Sequence, residues 1–305
     1  MLFRSGKDWD LARKDGGLII LPPYGEKDSG LYNSRLEALK GVTSFLKRAD
    51  EEFVVMTDCD SVYRVNFNEI IEEHIRNKAD VTLMYRKCMA NENNADGAIT
   101  LKVDADKRVS QIKFKENVKT GDLIFPNVYI MKKSMLENIV MDSLSHKNRH
   151  FTTEVLASNI KSMRIFGYEH KGYFACMNSL QAYYENSLDM LKDDVRHEIF
   201  GDRSVFTKIR DSAPTKYGLN AIVKNSLIAD GCVIEGEVEN SILFRGVKVA
   251  RGTVIKNSII MQNTVLGENV TLNCIITDKN VVIRDRKTLS GSENLPFYIG
   301  KGTMV

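Results

Sequence analysis

The 305-residue sequence carries little net charge, only +3, too weak a field to draw in nucleic acid. Its five cysteines (Cys59, Cys88, Cys176, Cys232 and Cys274) include no Cys-x-x-Cys pair. Odd in number and scattered, they read as free thiols of a reducing cytoplasm and exclude a structural zinc. No apolar run reaches the roughly 18 residues that span a bilayer, and no signal peptide opens the chain. The expectation is therefore a cytoplasmic protein with no membrane or nucleic-acid partner. Histidine is scarce: His74, His146, His150, His170 and His197 are all there are, so nothing beyond residue 197 offers an imidazole. Residues 1–7 run directly into Asp8-Trp9-Asp10-Leu11 with no strand or glycine-rich loop before them. The sequence reads as starting inside a domain.

What is present is a hydrophobic content of 43%, enough for real cores, over a length that suggests two domains. From Ile222 to Val282 aliphatic residues recur about every six positions: Ile228 and Ile234; Leu243, Val249, Ile255 and Met261; Leu266 and Leu272; Ile276 and Val282. Gly231, Gly236, Gly246, Gly252 and Gly267 punctuate the run. A period of six is neither helical nor that of a simple strand. It predicts a left-handed parallel β-helix whose inward residues fill a prism, with Gly, Asn and Asp at corners that need positive φ. Hexapeptide acyltransferases also carry such a ladder and work through a histidine base on the coils. The absence of histidine after residue 197 makes that chemistry a poor fit.

Upstream, apolar runs at 18–21, 53–56 and 81–85 predict strands, and the spacing at 36–46 and 67–78 predicts helices, the second capped by Asn66 or Asn68. Strand, helix, strand is the signature of a parallel α/β sheet. Residues 97–103 and 109–114 alternate as a hairpin, followed by a strand at 128–131, a helix through Met135, Ile139 and Val140, a helix at 152–160, a strand at 163–168 and a helix at 180–191. Residues 192–215 are polar and mixed and read as a linker. The division expected is 1–195 for the α/β domain, 196–215 for the linker and 216–305 for the β-helix.

Asp58 and Asp60 follow the strand at 53–56, at the sheet edge where α/β proteins bind ligands. Carboxylates there suit Mg²⁺ and phosphates, although a solvated turn accounts for them equally well. His74 reads as a surface or capping residue, and Cys59 and Cys176 as small buried hydrophobes. Arg4, Lys7, Arg13 and Lys14 form a basic cluster, either a solvated face or an anion site.

Asp8-Trp9-Asp10-Leu11, Leu21-Pro22-Pro23, residues 56–67, Gly172-Tyr173-Phe174 and the ladder occur together and in order. In this combination the chain resembles the glucose-1-phosphate adenylyltransferase family over nearly its whole length. Residues 6–17 and Arg35-Leu36-Glu37-Ala38-Leu39 resemble the D-type branch, GlgD, of Gram-positive bacteria. The resemblance implies a Rossmann-like nucleotidyltransferase domain, N-terminally truncated and lacking its phosphate loop, then a left-handed β-helix. The family joins ATP and glucose 1-phosphate into ADP-glucose and pyrophosphate, with Mg²⁺ and basic side chains neutralising the anions.

Carried over motif by motif, the resemblance implies a depleted site. The family's Gly-Thr-Ala-Asp turn is matched by Ser34-Arg35-Leu36-Glu37, whose longer side chains intrude on substrate space. The metal-binding Asp of Ser-Gly-Asp-His falls on Asp60, which is retained. The second metal Asp, in Gly-Tyr-Trp-x-Asp, has become Cys176, a poor Mg²⁺ ligand. The Lys of Glu-Lys-Pro has become Asn117. The implied protein is a regulatory, catalytically poor subunit in a mixed tetramer with a catalytic C-type subunit. That partner holds the Mg²⁺, and sugar phosphates such as fructose 1,6-bisphosphate act as effectors. An active adenylyltransferase and a pure assembly module are the alternatives.

Overall fold

The computed structural model describes residues 19, 21, 34–89, 97–145, 150–201 and 211–305. The basic cluster, His146 and most of the strand expected at 18–21 lie outside the described residues. The elements run α1 (Arg35–Arg48), β1 (Phe53–Met56), β2 (Ser61–Tyr63), α2 (Phe67–Arg76), β3 (Val81–Lys87), β4 (Ala98–Val103), β5 (Val109–Lys115), β6 (Leu123–Lys132), α3 (Lys133–Ser145), a wide helical turn (Phe151–Leu156), β7 (Ile165–Glu169), β8 (Phe174–Cys176), α4 (Leu180–Asp189) and α5 (Asp193–Phe200), then the short strands of a parallel β-solenoid. Among the described residues no helix is long and apolar enough to cross a membrane. Two compact units result: residues 1–59 with 65–172, and residues 60–64 with 173–305.

In the first unit β5-β4-β6-β3-β7 form a sheet, and β1 adds to β6. The sheet is mixed, not parallel as the strand–helix–strand order suggested. β3 and β7 pair in parallel, but β6 is antiparallel to β1, β3 and β4. β1 and β3 do point the same way, as a crossover through α2 requires. The chain then returns after the β4–β5 hairpin and lays β6 between them. Val81, Leu83 and Tyr85 of β3 join Tyr129 and Met131 of β6 in one core with Leu36 of α1 and Leu136, Ile139 and Val140 of α3. Ser34 caps α1 by accepting the Glu37 N–H at 3.2 Å, and Asn66 caps α2. The helix expected at 152–160 begins as a wide turn. The N–H groups of Val155 and Ala157 reach back five residues to His150 and Thr152.

His74 is a correction. It is buried on α2, not on the surface. Its Nδ1 lies 2.8 Å from Thr82 Oγ1, and its ring meets Phe53 edge-on at 5.7 Å. Burial pushes its pKa below the usual value, with Asp80 opposing the fall and Lys132 adding to it. The unfolded chain therefore takes up the proton more readily, and the folded form is fully favoured only above the unfolded pKa of about 6.5. Stability should fall as the pH drops from there toward the lower folded value. Urea unfolding at neutral pH and near pH 5 is expected to show a larger acid loss for the wild type than for His74→Gln.

In the second unit β2 and β8 form an antiparallel ribbon. Residues 193–200, within the stretch read as linker, form α5. The solenoid has three faces of five strands each. One comprises Ile222–Lys224, Glu237–Glu239, Val254–Lys256, Thr271–Asn273 and Thr288–Ser290. The next comprises Leu227–Ile228, Ile242–Leu243, Ile259–Ile260, Ile275–Thr277 and Phe297–Ile299. The third comprises Lys216–Tyr217, Val233–Ile234, Lys248–Val249, Val265–Leu266 and Val282–Ile283. All pair in parallel, each coil on the last. The 295–299 segment, read as a cap or a subunit contact, supplies the final strand of the second face.

The six-residue period needs one amendment. Inward residues step by five from the first face to the second, as in Ile255 to Ile260, and by six along the other sides, so most coils repeat every seventeen residues. The short side turns through one left-handed residue, successively Asn225, Asn240, Asn257 and Cys274, with φ between 40° and 53°. The slip takes Met261, Ile276 and Val282 off the inward line. Ile260 and Ile283 fill the prism instead. Ile276 is buried on the outer side with Ile259 and Cys274, beneath Tyr184 of α4, whose hydroxyl donates to the Asn257 carbonyl at 2.6 Å. The corners at Gly231, Gly246 and Gly252 do have positive φ. Gly236 does not; there a Cβ would come within 2.3 Å of the Thr253 carbonyl oxygen of the next coil.

Candidate functional site

The residues singled out in the sequence fall in separate places. Ser34, Arg35, Glu37, Asp58 and Asn117 belong to the first unit; Asp60 and Cys176 belong to the second.

In the first unit a cleft of about 440 Å³ is lined by Arg35, Ile99, Phe114, Asn127, His150, Phe151, Thr152 and Thr153. Its polar floor is a closed ring. The Arg35 guanidinium pairs with Asp58, donates to Tyr129 Oη at 2.6 Å, and lies 5.0 Å from the centre of that ring. Tyr129 Oη donates to Asn127 Oδ1 at 3.0 Å, and Asn127 Nδ2 donates back to Asp58 Oδ2 at 2.8 Å. A phenol has one proton. With that proton given to Asn127, the close contact with Thr152 Oγ1 has threonine as donor. Burial raises the Tyr129 pKa, partly offset by Arg35.

Local sequence explains this convergence. The β6–β3 register jumps between Met84, opposite Val128, and Arg86, opposite Ile124. The extra residues include Pro126, which has no N–H for the ladder, and Asn127, left-handed at φ 59°. The bulge carries the Asn127 amide to Asp58. Neither Asn127, Tyr129 nor Thr152 was singled out by sequence reasoning. The signal available was Pro-Asn interrupting an apolar strand.

Arg35 is the only Arg or Lys among the described residues lining the cleft, and it is committed to Asp58. Ser34 and Glu37 occupy the first turn of α1, so the helix end is capped from within. Asn117 is exposed on the turn after β5, flanked by Lys115, which pairs with Asp122, and by Lys119, whose N–H donates to the same carboxylate at 2.7 Å. The Lys115 ammonium and the Lys119 N–H together hold the Asp122 carboxyl below its ordinary pKa.

In the second unit Asp60 and Cys176 do come together, at the end of the β2–β8 ribbon. Cys176 Sγ is 3.9 Å from Asp60 Oδ2, and Ser61 Oγ donates to Asp60 Oδ1 at 3.0 Å. The Met177 N–H donates to the Asp60 carbonyl at 2.7 Å. Cys176 is half-buried and Cys59 exposed, so neither is the buried hydrophobe expected. Mg²⁺ requires a near-octahedral oxygen shell. One carboxylate, one hydroxyl and a soft thiol do not fit it. Among the described residues no cluster of three His, Cys, Asp or Glu is placed to hold a metal ion.

An α/β nucleotidyltransferase-type unit with a hexapeptide solenoid is the class these features define, and comparison with known proteins agrees. Residues 27–193 match the nucleotidyl transferase family model, and residues 213–294 match the model of the GlmU-like C-terminal hexapeptide region. The glycogen biosynthesis protein GlgD of Bacillus subtilis is 30% identical over 98% of this chain and 77% of its own length. Glucose-1-phosphate adenylyltransferases are similar too. That of Clostridium botulinum is 30% identical over 83% of this chain and 66% of its own length, and that of Thermotoga maritima 30% over 82% and 60%. The chain belongs to the glucose-1-phosphate adenylyltransferase family, in which GlgD is included. It spans roughly two thirds of the length of the adenylyltransferases it matches.

Proposed function

We propose that this chain is a regulatory, catalytically poor subunit that acts with a glucose-1-phosphate adenylyltransferase in glycogen biosynthesis. The observation that carries the reading is the Arg35–Asp58 pair. Both residues stand in motifs that face substrate in catalytic relatives, and here they face each other. A phosphate entering the cleft would have to win Arg35 from a carboxylate already held by two donors, a competition that costs most of its electrostatic gain. Asn117 and Cys176 remove a cation and a metal oxygen besides. In this reading the catalytic partner holds the Mg²⁺, the assembly is a cytoplasmic heterotetramer, and a sugar phosphate effector shifts its activity through subunit contacts.

Purified alone with ATP, Mg²⁺ and glucose 1-phosphate, the chain is expected to form no measurable ADP-glucose. Mixed with the adenylyltransferase of its own organism, it is expected to change that enzyme's apparent affinity for substrate or for a sugar phosphate by several-fold, the usual range of allosteric coupling. Rapid turnover by the isolated chain would overturn the proposal. Co-purification without kinetic change would reduce it to an assembly role.

A further inference from the structure

We propose that Cys176 is a built replacement for a divalent cation: its thiol gives Asp60 the partner that a metal ion gives where both positions are carboxylates, so the β2–β8 ribbon is complete without metal. The inference shares with the regulatory reading only the alignment of Cys176 with a metal ligand. It stands whether or not the chain regulates a partner.

The argument begins with the register. Ser61 pairs with Cys176, so Asp60 and Cys176 close the same end of a three-residue ribbon. Two carboxylates at that end would repel, and in such a pair one must take up a proton or both must share a cation. A thiol has neither requirement. It carries no charge when protonated and has one hydrogen to give, weak though the bond is. With Sγ at 3.9 Å from Oδ2 and the Ser61 hydroxyl at 3.0 Å from Oδ1, both oxygens of Asp60 have a donor.

The surroundings hold this arrangement in place. Tyr63 and Phe174 stack across the ribbon at 5.5 Å. The Cys176 carbonyl accepts from Asn186 Nδ2 of α4 at 3.0 Å. Through Tyr184 the same helix is bonded to the solenoid. The ribbon end is thus fixed by packing and by neutral hydrogen bonds, where a pair of carboxylates would leave it dependent on a bound ion.

The test uses the full chain and MnCl₂, with binding read from the loss of the free-ion electron paramagnetic resonance signal and stability from thermal unfolding. The wild type is expected to show no saturable Mn²⁺ site that Asp60→Asn removes, and no change in Tm on adding Mn²⁺ or Mg²⁺. Cys176→Asp is expected to gain one saturable site, lost again in Asp60→Asn/Cys176→Asp. It should melt a few degrees below the wild type without cation and recover with it, by mass action. Cys176→Ser, which keeps a donor, should retain the wild-type Tm. A Cys176→Asp chain that folds only with Mn²⁺ supports the proposal. One that folds without binding Mn²⁺, or fails to fold even with it, overturns the proposal, as does a wild-type Mn²⁺ site abolished by Asp60→Asn.

Discussion

Ile260→Ala is expected to destabilise the solenoid by about 2–5 kcal/mol, the range for emptying a buried aliphatic position, whereas Met261→Ala should cost under about 1 kcal/mol. The two residues are adjacent, and a strict six-residue ladder assigns the larger effect to Met261. The structure reverses that order. Ile260 is fully buried between Leu243 and Thr277 of neighbouring coils, while Met261 lies past the strand, half-buried. The contribution of Met261 to the stack is its backbone N–H, which reaches Thr277 and survives truncation of the side chain. Chemical unfolding of the two variants, followed by a probe in the solenoid, decides the matter. Equal losses would mean that the five-residue side does not exist.

The second large effect is expected at the cleft floor. Arg35→Ala or Asp58→Ala should each lower the stability of the first unit by about 1–3 kcal/mol. That is more than an exposed ion pair and less than a fully buried one, as suits side chains about 27% and 33% exposed. Part of the loss comes from the neutral members of the ring. Without Arg35, Tyr129 loses its strongest donor; without Asp58, the Asn127 amide loses its acceptor. Arg35→Ala/Asp58→Ala should cost less than the sum of the two, with a coupling of at least about 0.5 kcal/mol in a double-mutant cycle. Arg35→Lys should recover little, because an ammonium lacks the fork that serves Asp58 and Tyr129 together. Additive losses of a few tenths would show the pair to be ornamental, and the closed-cleft reading would lose its support.

The sequence was legible wherever one residue's neighbours along the chain decide its fate. The helices at Leu36 and Ile70, the hairpin around Lys107 and the existence of the solenoid all follow from local period and turn chemistry. The position of β6 did not, because inserting a strand between β1 and β3 is settled by contacts more than forty residues apart. Nor did the burial of His74, whose polar edge is satisfied by Thr82 across the helix–sheet interface. The five-residue side was hidden because Met261 and Val282 are as apolar as the residues that truly point inward, and hydrophobicity alone cannot choose between adjacent candidates. At the cleft the altered motif residues could be read singly, through the resemblance. That Arg35 and Asp58 are each other's partner, and that a Pro-Asn bulge brings Asn127 to both, required three dimensions.

The coil length has a consequence for how such a chain can change. Because left-handed corner residues sit over one another on successive coils, register is shared by all three faces at once. Inserting or deleting one full coil of seventeen residues returns every later side chain to its wall, while a single-residue insertion on a straight side turns the following residues inside out. The length of this prism is therefore quantised. Its natural unit of growth is a whole lap of the chain, and α4, seated against Asn257 and Glu293, marks which laps are spoken for.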